Sequence, residues 1–372
     1  MKDTYKNILA LGAGCAAAFL VLEAFLAFYP PLASRVRGGR IILFPYKRYV
    51  VENDRFPSLE RRIVRTNNSL GFRGAEPPKD FSSYLTVVAV GGSTTECFYL
   101  SDGKSWPERL QPLLARSYGR AWVNNAGMDG HSTFGHLALM REYICALRPG
   151  AVIFLTGLND MGLGSASRFD RMLTGNEGRS LPAALFVRAA SVSRVAALAQ
   201  NIYLHSRAIK AGLVHAQLDL KAAAPLRAPA GLLAGLKARH APFAAAYAER
   251  LGELARVSRA AGIRPVFATQ PLLCGKGRDP RTGADLELLP TGDEFVNCGV
   301  KWAVLEVYND AARRKAAELK VPLADLAREM PKDSLYFYDY SHFTGAGTEK
   351  VAENVWRDAG AALAGRGRAD GR

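Results

Sequence analysis

The 372-residue chain has little cysteine and histidine, five and six residues, and they do not cluster. His131 and His136 are five apart, which does not put two ligands on one helix face, and no Cys/His set of zinc spacing is present. Acidic residues are also in short supply, with 34 Asp and Glu against 49 Lys and Arg, a formal charge of +15. That balance favours an anionic neighbour. The basic residues are scattered and follow no zinc-finger or RNP-like pattern, so a nucleic-acid partner is not expected. The segment Gly91–Glu96 lacks the Gly-Lys-Ser/Thr ending of a phosphate loop and the third glycine of a dinucleotide fingerprint. No internal repeat is visible.

Long apolar runs are scarce too, and the exception is informative. Ile8–Tyr29 is apolar except for Glu23, and about 20 such residues span a bilayer as a helix. Its length exceeds a usual signal core and no clean A-x-A cleavage site comes after it, so an uncleaved anchor is expected over a signal peptide. Leu11–Cys15 departs from a lipidation box at Gly12. Glu23, near the end of the span, is expected to snorkel to the interface rather than face a partner. Lys2 and Lys6 before the span favour export of the domain beyond it; Arg35, Arg37, Arg40, Lys47 and Arg48 after it favour the opposite. The expectation is an anchored domain on the extracytoplasmic, periplasmic side. There Cys274 and Cys298, which bracket a Gly/Pro-rich loop, are the candidate disulfide.

The division expected is residues 1–34 for the tail and anchor, 35–80 for an irregular or β-rich lead-in, 81–364 for an α/β domain, and 365–372 for a disordered basic tail. Within the α/β domain, short β-rich apolar runs read as buried strands at Leu85–Val90, Ala121–Asn125, Ala151–Thr156, Arg264–Thr269 and Val321–Leu326. Helical periodicity fills the gaps at Trp106–Ser117, Thr133–Leu147, Pro242–Ala261, Trp302–Lys320 and Ala346–Leu363. An Ala-rich, basic stretch at about 161–241, notably Ser191–Leu213, reads as a helical insertion after the third strand, a lid or a membrane-facing flap. Strands alternating with helices predict an α/β fold, a three-layer doubly wound parallel sheet.

Polar clusters follow four of these elements: Gly91–Thr95, Asn125–Gly130, Gly157–Asp160 and Asp339–His342. In an open parallel sheet such ends meet at one edge, where ligands bind. Ser93 in a Gly-Gly-Ser turn is the candidate nucleophile, and a serine hydroxyl needs a base to take its proton. His342 is the candidate base and Asp339 the group that orients it. The N–H groups of Ser93 and Gly130 and the Asn159 amide are candidate oxyanion donors. Gln270, after the fourth strand, and His131 are candidate pocket residues. Glu96 suits the start of the following helix through its dipole. This chemistry calls for no cofactor and no metal.

Taken in order, these blocks resemble the SGNH hydrolases, also called GDSL esterases and lipases. The resemblance matches Ser93 to the nucleophile, Gly130 and Asn159 to the second- and third-block residues, and Asp339 with His342 to the last block. It covers roughly Leu85–Leu163 and Pro322–Leu363, with Arg264–Pro271 fitting the fourth strand. Asn68–Gly74, Asn-Ser-Leu-Gly-Phe-Arg-Gly ahead of Gly-Gly-Ser-Thr-Thr, is similar to the membrane-anchored bacterial branch. The name motif of the family has Asp before Ser, where this chain has Gly92. The resemblance implies a flavodoxin-like SGNH fold and a serine esterase or O-deacylase acting on an acyl ester, with a cell-envelope glycan or lipid as carrier. An O-acyltransferase using the same residues is one alternative. A non-catalytic membrane-tethered binding or assembly protein is the other; the intact Ser, Asn, Asp and His set argues against it.

Overall fold

The computed structural model describes residues 2–29, 36–37, 39–164, 181–210, 215 and 218–365. The expected tail, from residue 366 on, lies outside them, as do residues 30–34 of the anchor segment, 35 and 38 of the lead-in, and 165–180, 211–214 and 216–217 of the insertion.

Helix α1 (Lys2–Phe28) begins six residues before the apolar run. Its Thr4–Phe28 segment is long and apolar enough to cross a membrane. A two-residue ladder pairs Val36–Arg37 with Arg40–Ile41. Strands β1 (Arg48–Glu52) and β2 (Arg62–Thr66) form an antiparallel pair, so the lead-in is more regular than its composition suggests. The alternation then runs β3 (Leu85–Gly91), α2 (Trp106–Tyr118), β4 (Ala121–Asn125), α3 (Thr133–Leu139) and β5 (Ala151–Leu155). Next come α4 (Leu181–Val192), α5 (Arg194–Lys210), α6 (Leu232–Ala260), β6 (Arg264–Ala268), α7 (Cys298–Glu318), β7 (Leu323–Ala324) and α8 (Gly345–Leu363).

The chain divides into two compact units, residues 1–42 with 171–214, and residues 43–170 with 215–372. In the smaller unit α4 packs on α5, and α5 on α1. The expected Ser191–Leu213 helix is broken at Ser193. Its hydroxyl accepts the N–H of Ala196 (3.0 Å) and starts α5, as a serine cap does. Glu23 faces a partner within this unit. Its carboxylate accepts hydrogen bonds from Ser193 Oγ (2.5 Å), Arg194 N (2.8 Å) and Val195 N (3.1 Å).

The larger unit holds a five-stranded parallel sheet in the order β4-β3-β5-β6-β7. Val87 lies beside both Val123 and Ala151. All five residues of β4 and of β5 are buried. A parallel sheet of this kind needs both faces covered. Helices α2 and α8 pack together as one layer, and α3, α6 and α7 as the other. Strand order reverses between β3 and β5, and the carboxyl ends at such a reversal form the ligand crevice of an open α/β sheet.

Several elements differ from expectation for physical reasons; α7, for example, starts at Cys298 rather than Trp302 because the Asn297 side chain caps it by accepting the N–H of Val300 (3.0 Å). Strand β7 has two residues rather than six, because Asp325 turns out of the sheet to bond Arg313 (2.8 Å) and Thr269 Oγ1 (2.8 Å). The Thr133–Leu147 run stays helical but widens into a π-type turn at Met140–Ile144. Helix α6 starts ten residues before Pro242. Leu, Ala, Lys and Arg favour a helix there, and Leu236 and His240 bury its inner face. Cys274 and Cys298 are bonded to each other and fully buried, tying the β6–α7 loop to the start of α7.

Candidate active site

The turn after β3 is fixed by close packing. Gly92 is extended, Ser93–Glu96 makes one helical turn, and Cys97 ends it with φ 51°. A Cβ on Gly92 would lie 2.3 Å from Asn159 Nδ2. A side chain at position 92 would therefore require the Asn159 amide to shift. A Cβ on Gly127 would lie 2.3 Å from the backbone nitrogen of Glu96, so the second polar loop also needs a glycine to approach this turn.

Buried charge holds the turn from behind. The Arg65 guanidinium of β2 meets the Glu96 carboxylate at 2.7 Å, with 3% and 4% of the two side chains exposed. Arg65 also lies over the rings of Tyr49 (4.5 Å) and Phe98 (4.3 Å). The other Glu96 oxygen accepts the N–H of Asp129 (2.6 Å). Glu96 thus links three segments from within the single helical turn Ser93–Glu96. Arg73 donates to the carbonyl of Cys97 (3.0 Å) and pairs with Glu108 (3.0 Å). Arg73 and Asn125 also exchange backbone hydrogen bonds, so the Asn68–Gly74 motif clamps β4 and the Ser93 turn together.

His342 Nε2 lies 2.8 Å from Ser93 Oγ, and its Nδ1 lies 2.6 Å from Asp339 Oδ2. Asp339 Oδ1 accepts the N–H groups of Ser341 (2.9 Å) and His342 (2.8 Å), which fixes the carboxylate ahead of α8. A carboxylate facing Nδ1 puts the ring proton there and leaves Nε2 to accept from the serine. Burial works against both charges. Their mutual attraction and hydrogen bonds outweigh it, so His342 is raised above the ordinary imidazole value and Asp339 held below the ordinary carboxylate value.

Asn159 follows β5 in a short turn, and its amide donates to the His131 carbonyl (2.9 Å). Asp160 anchors that turn. It accepts from Thr133 N (3.1 Å) and Oγ1 (2.6 Å) and pairs with Arg250 of α6 (3.2 Å). Gly130, with φ 73°, precedes His131 in the loop after β4. Thr94 Oγ1 donates to Gln270 Oε1 (3.1 Å). Ser93, His131, Asn159 and Gln270 line one small cavity of about 10 Å³, room for one water-sized group. His136 lines it too, but burial pushes its pKa down to about 3, so it stays neutral.

His215 carried no signal in the sequence, being a lone histidine after the insertion. Its ring stacks on His342 with centroids 3.8 Å apart, and its Nδ1 bonds the Tyr338 hydroxyl (2.7 Å). Tyr338 and Tyr99, which packs edge-on against His215 (5.1 Å), continue an aromatic wall to Phe56. His215, Asp339 and His342 bring three ligand-type atoms within 4.8 Å. His342 Nδ1 and Asp339 Oδ2 already bond each other at 2.6 Å.

Residues 89–350 match the model of the GDSL-like Lipase/Acylhydrolase family. No curated protein matches the chain. Among solved structures the chain is similar to an acetylxylan esterase from Geobacillus stearothermophilus at 14% identity and a TM-score of 0.41, over 73% of this chain and 92% of that one. It is also similar to an alpha/beta hydrolase enzyme from the metagenome of Lake Arreo, Spain, at 14% identity and a TM-score of 0.41, over 76% and 95%.

The raised His342 value can be read directly. A ring-carbon NMR titration should place its midpoint above about 6.5, the unperturbed value. In Asp339→Asn the midpoint should fall, since burial then acts without the opposing carboxylate. An unchanged midpoint in that variant contradicts the electrostatic account.

Proposed function

Because the chain belongs to the GDSL-like lipase/acylhydrolase family, and is a hydrolase acting on ester bonds, we propose that Ser93 is its nucleophile. As Ser93 Oγ attacks the ester carbonyl, His342 Nε2 takes its proton, and Asp339 stabilises the imidazolium that forms. The N–H groups of Ser93 and Gly130 and the Asn159 amide receive the carbonyl oxygen as its charge develops. His342 then returns the proton to the leaving alcohol. Water, activated by the same imidazole, releases the acyl group from Ser93 and restores the free hydroxyl. The observation that carries this reading is the continuous hydrogen-bond chain from Ser93 through His342 to Asp339, at 2.8 Å and 2.6 Å.

The substrate class follows from placement. Helix α1 is the anchor of a membrane-attached enzyme of the branch that the Asn68–Gly74 motif resembles. The net charge of +15 suits an anionic surface. An acyl ester carried on a cell-envelope glycan or lipid is therefore the natural substrate, and the domain lies on the extracytoplasmic side. Support for that side is the Cys274–Cys298 bond, since disulfides persist in oxidising compartments.

Ser93→Ala should abolish hydrolysis of p-nitrophenyl acetate with little change in Tm. Asn159→Ala should lower kcat by about 10²–10³ and leave KM nearly unchanged, because its amide acts on the transition state. Activity retained by Ser93→Ala removes the nucleophile assignment, and a change confined to KM makes Asn159 a ground-state contact. For sidedness, alkaline phosphatase fused after residue 372 should be active in intact cells. An inactive fusion puts the domain in the cytoplasm and leaves the catalytic assignment standing.

A further inference from the structure

Helix α4 carries one charged residue in twelve, Arg188. A helix of that composition normally buries its apolar surface. Here Val187 and Ala190 are buried, while Leu181, Leu185, Phe186 and Val192 are exposed, Leu181 at 73% and Val192 at 80%. Ile202 and Tyr203 of α5 extend the exposed apolar surface. At about 1.5 Å per residue, α4 is roughly 18 Å long, too short for a hydrocarbon core of about 30 Å. An apolar helix of this length that is not buried in a core fits a bilayer interface.

The same compact unit contains α1, and the link between them is specific. A carboxylate on a membrane-length helix is costly unless it is satisfied. Glu23 is satisfied by the hydroxyl of Ser193 and the N–H groups of Arg194 and Val195, the first turn of α5. Negative charge at a helix start also complements the helix dipole. The α4–α5 junction is therefore fixed beside the last turns of α1, five residues before its end at Phe28. Arg37 Nε, just beyond α1, donates to the carbonyl of Ala190 (3.4 Å) and ties the end of α4 to the same level. Arg188 and Arg194 stand next to this junction, where cations can meet anionic headgroups.

We infer that α4, with the adjoining face of α5, is a second membrane contact: it lies in the interface of the leaflet that α1 leaves, and Glu23 sets its depth. The occupant of the exposed apolar face is lipid. This rests on α1 being an anchor, and the test separates the two.

The full-length chain is reconstituted in phosphatidylcholine–phosphatidylglycerol vesicles, with Cys15→Ala and Cys145→Ala to clear accessible thiols. Nitroxide labels are placed singly at Leu185→Cys and Val192→Cys, at Phe19→Cys on α1, and at Tyr46→Cys as a reference exposed on the other unit. Retained ester hydrolysis reports folding. Collisions with oxygen, which partitions into lipid, are compared with those of a water-soluble nickel chelate. Oxygen should dominate several-fold at 185 and 192, as at 19 and unlike 46. Chelate access at 185 and 192, with 19 in lipid, overturns the inference and keeps the anchor. Shielding from both reagents means that protein, such as a second copy of the chain, covers the face, which also overturns it. Chelate access at 19 overturns both readings.

Discussion

A parallel sheet covered by helices on both faces leaves polar chemistry one place to gather: the edge where its strands end. Every candidate catalytic group depends on that constraint. Ser93 follows β3, Asn159 follows β5, and the two strands are neighbours at the point where strand order reverses. Gly130 follows β4, and Asp339 with His342 precedes α8. The sheet brings these segments within hydrogen-bond reach although 249 positions separate Ser93 from His342.

Buried ion pairs then hold the edge to the precision that proton transfer needs. Arg65 with Glu96 stands behind the Ser93 turn, and Arg250 with Asp160 behind Asn159. Buried pairs are weak sources of net stability, but removing one partner strands a charge and costs about 3–5 kcal/mol. Their role here is to fix the two loops. The same logic appears in the smaller unit, where Glu23 seats the first turn of α5. In each case a carboxylate is satisfied by a set of donors that defines one geometry.

The sequence showed the strands best where both faces are buried: β4 begins and ends where its apolar run does, and β3 and β5 differ from theirs by one residue. Edge strand β7 was overread, because the side-chain bonds of Asp325 decide where it stops. Helix α6 begins at Leu232 rather than at Pro242, ten residues earlier than its periodicity predicts. The candidate site was legible where a reactive residue adjoins a turn, as at Ser93, Asn159 and His342. Residues that act across long separations left no local trace. Arg65 reads as one more surface cation until its contact with Glu96 is seen, and His215 as an isolated histidine until it stacks on His342. Gly92 departs from the family motif, and its closeness to the Asn159 amide is visible only in the structure.

The central claim is that one serine is activated by one histidine at this edge, and covalent labelling tests it most directly. The intact chain is treated with a fluorophosphonate and mapped by mass spectrometry. The account predicts a single adduct on the peptide containing Ser93, lost on heating and lost in His342→Ala. An adduct on a different serine, or none on a preparation that hydrolyses esters, contradicts it.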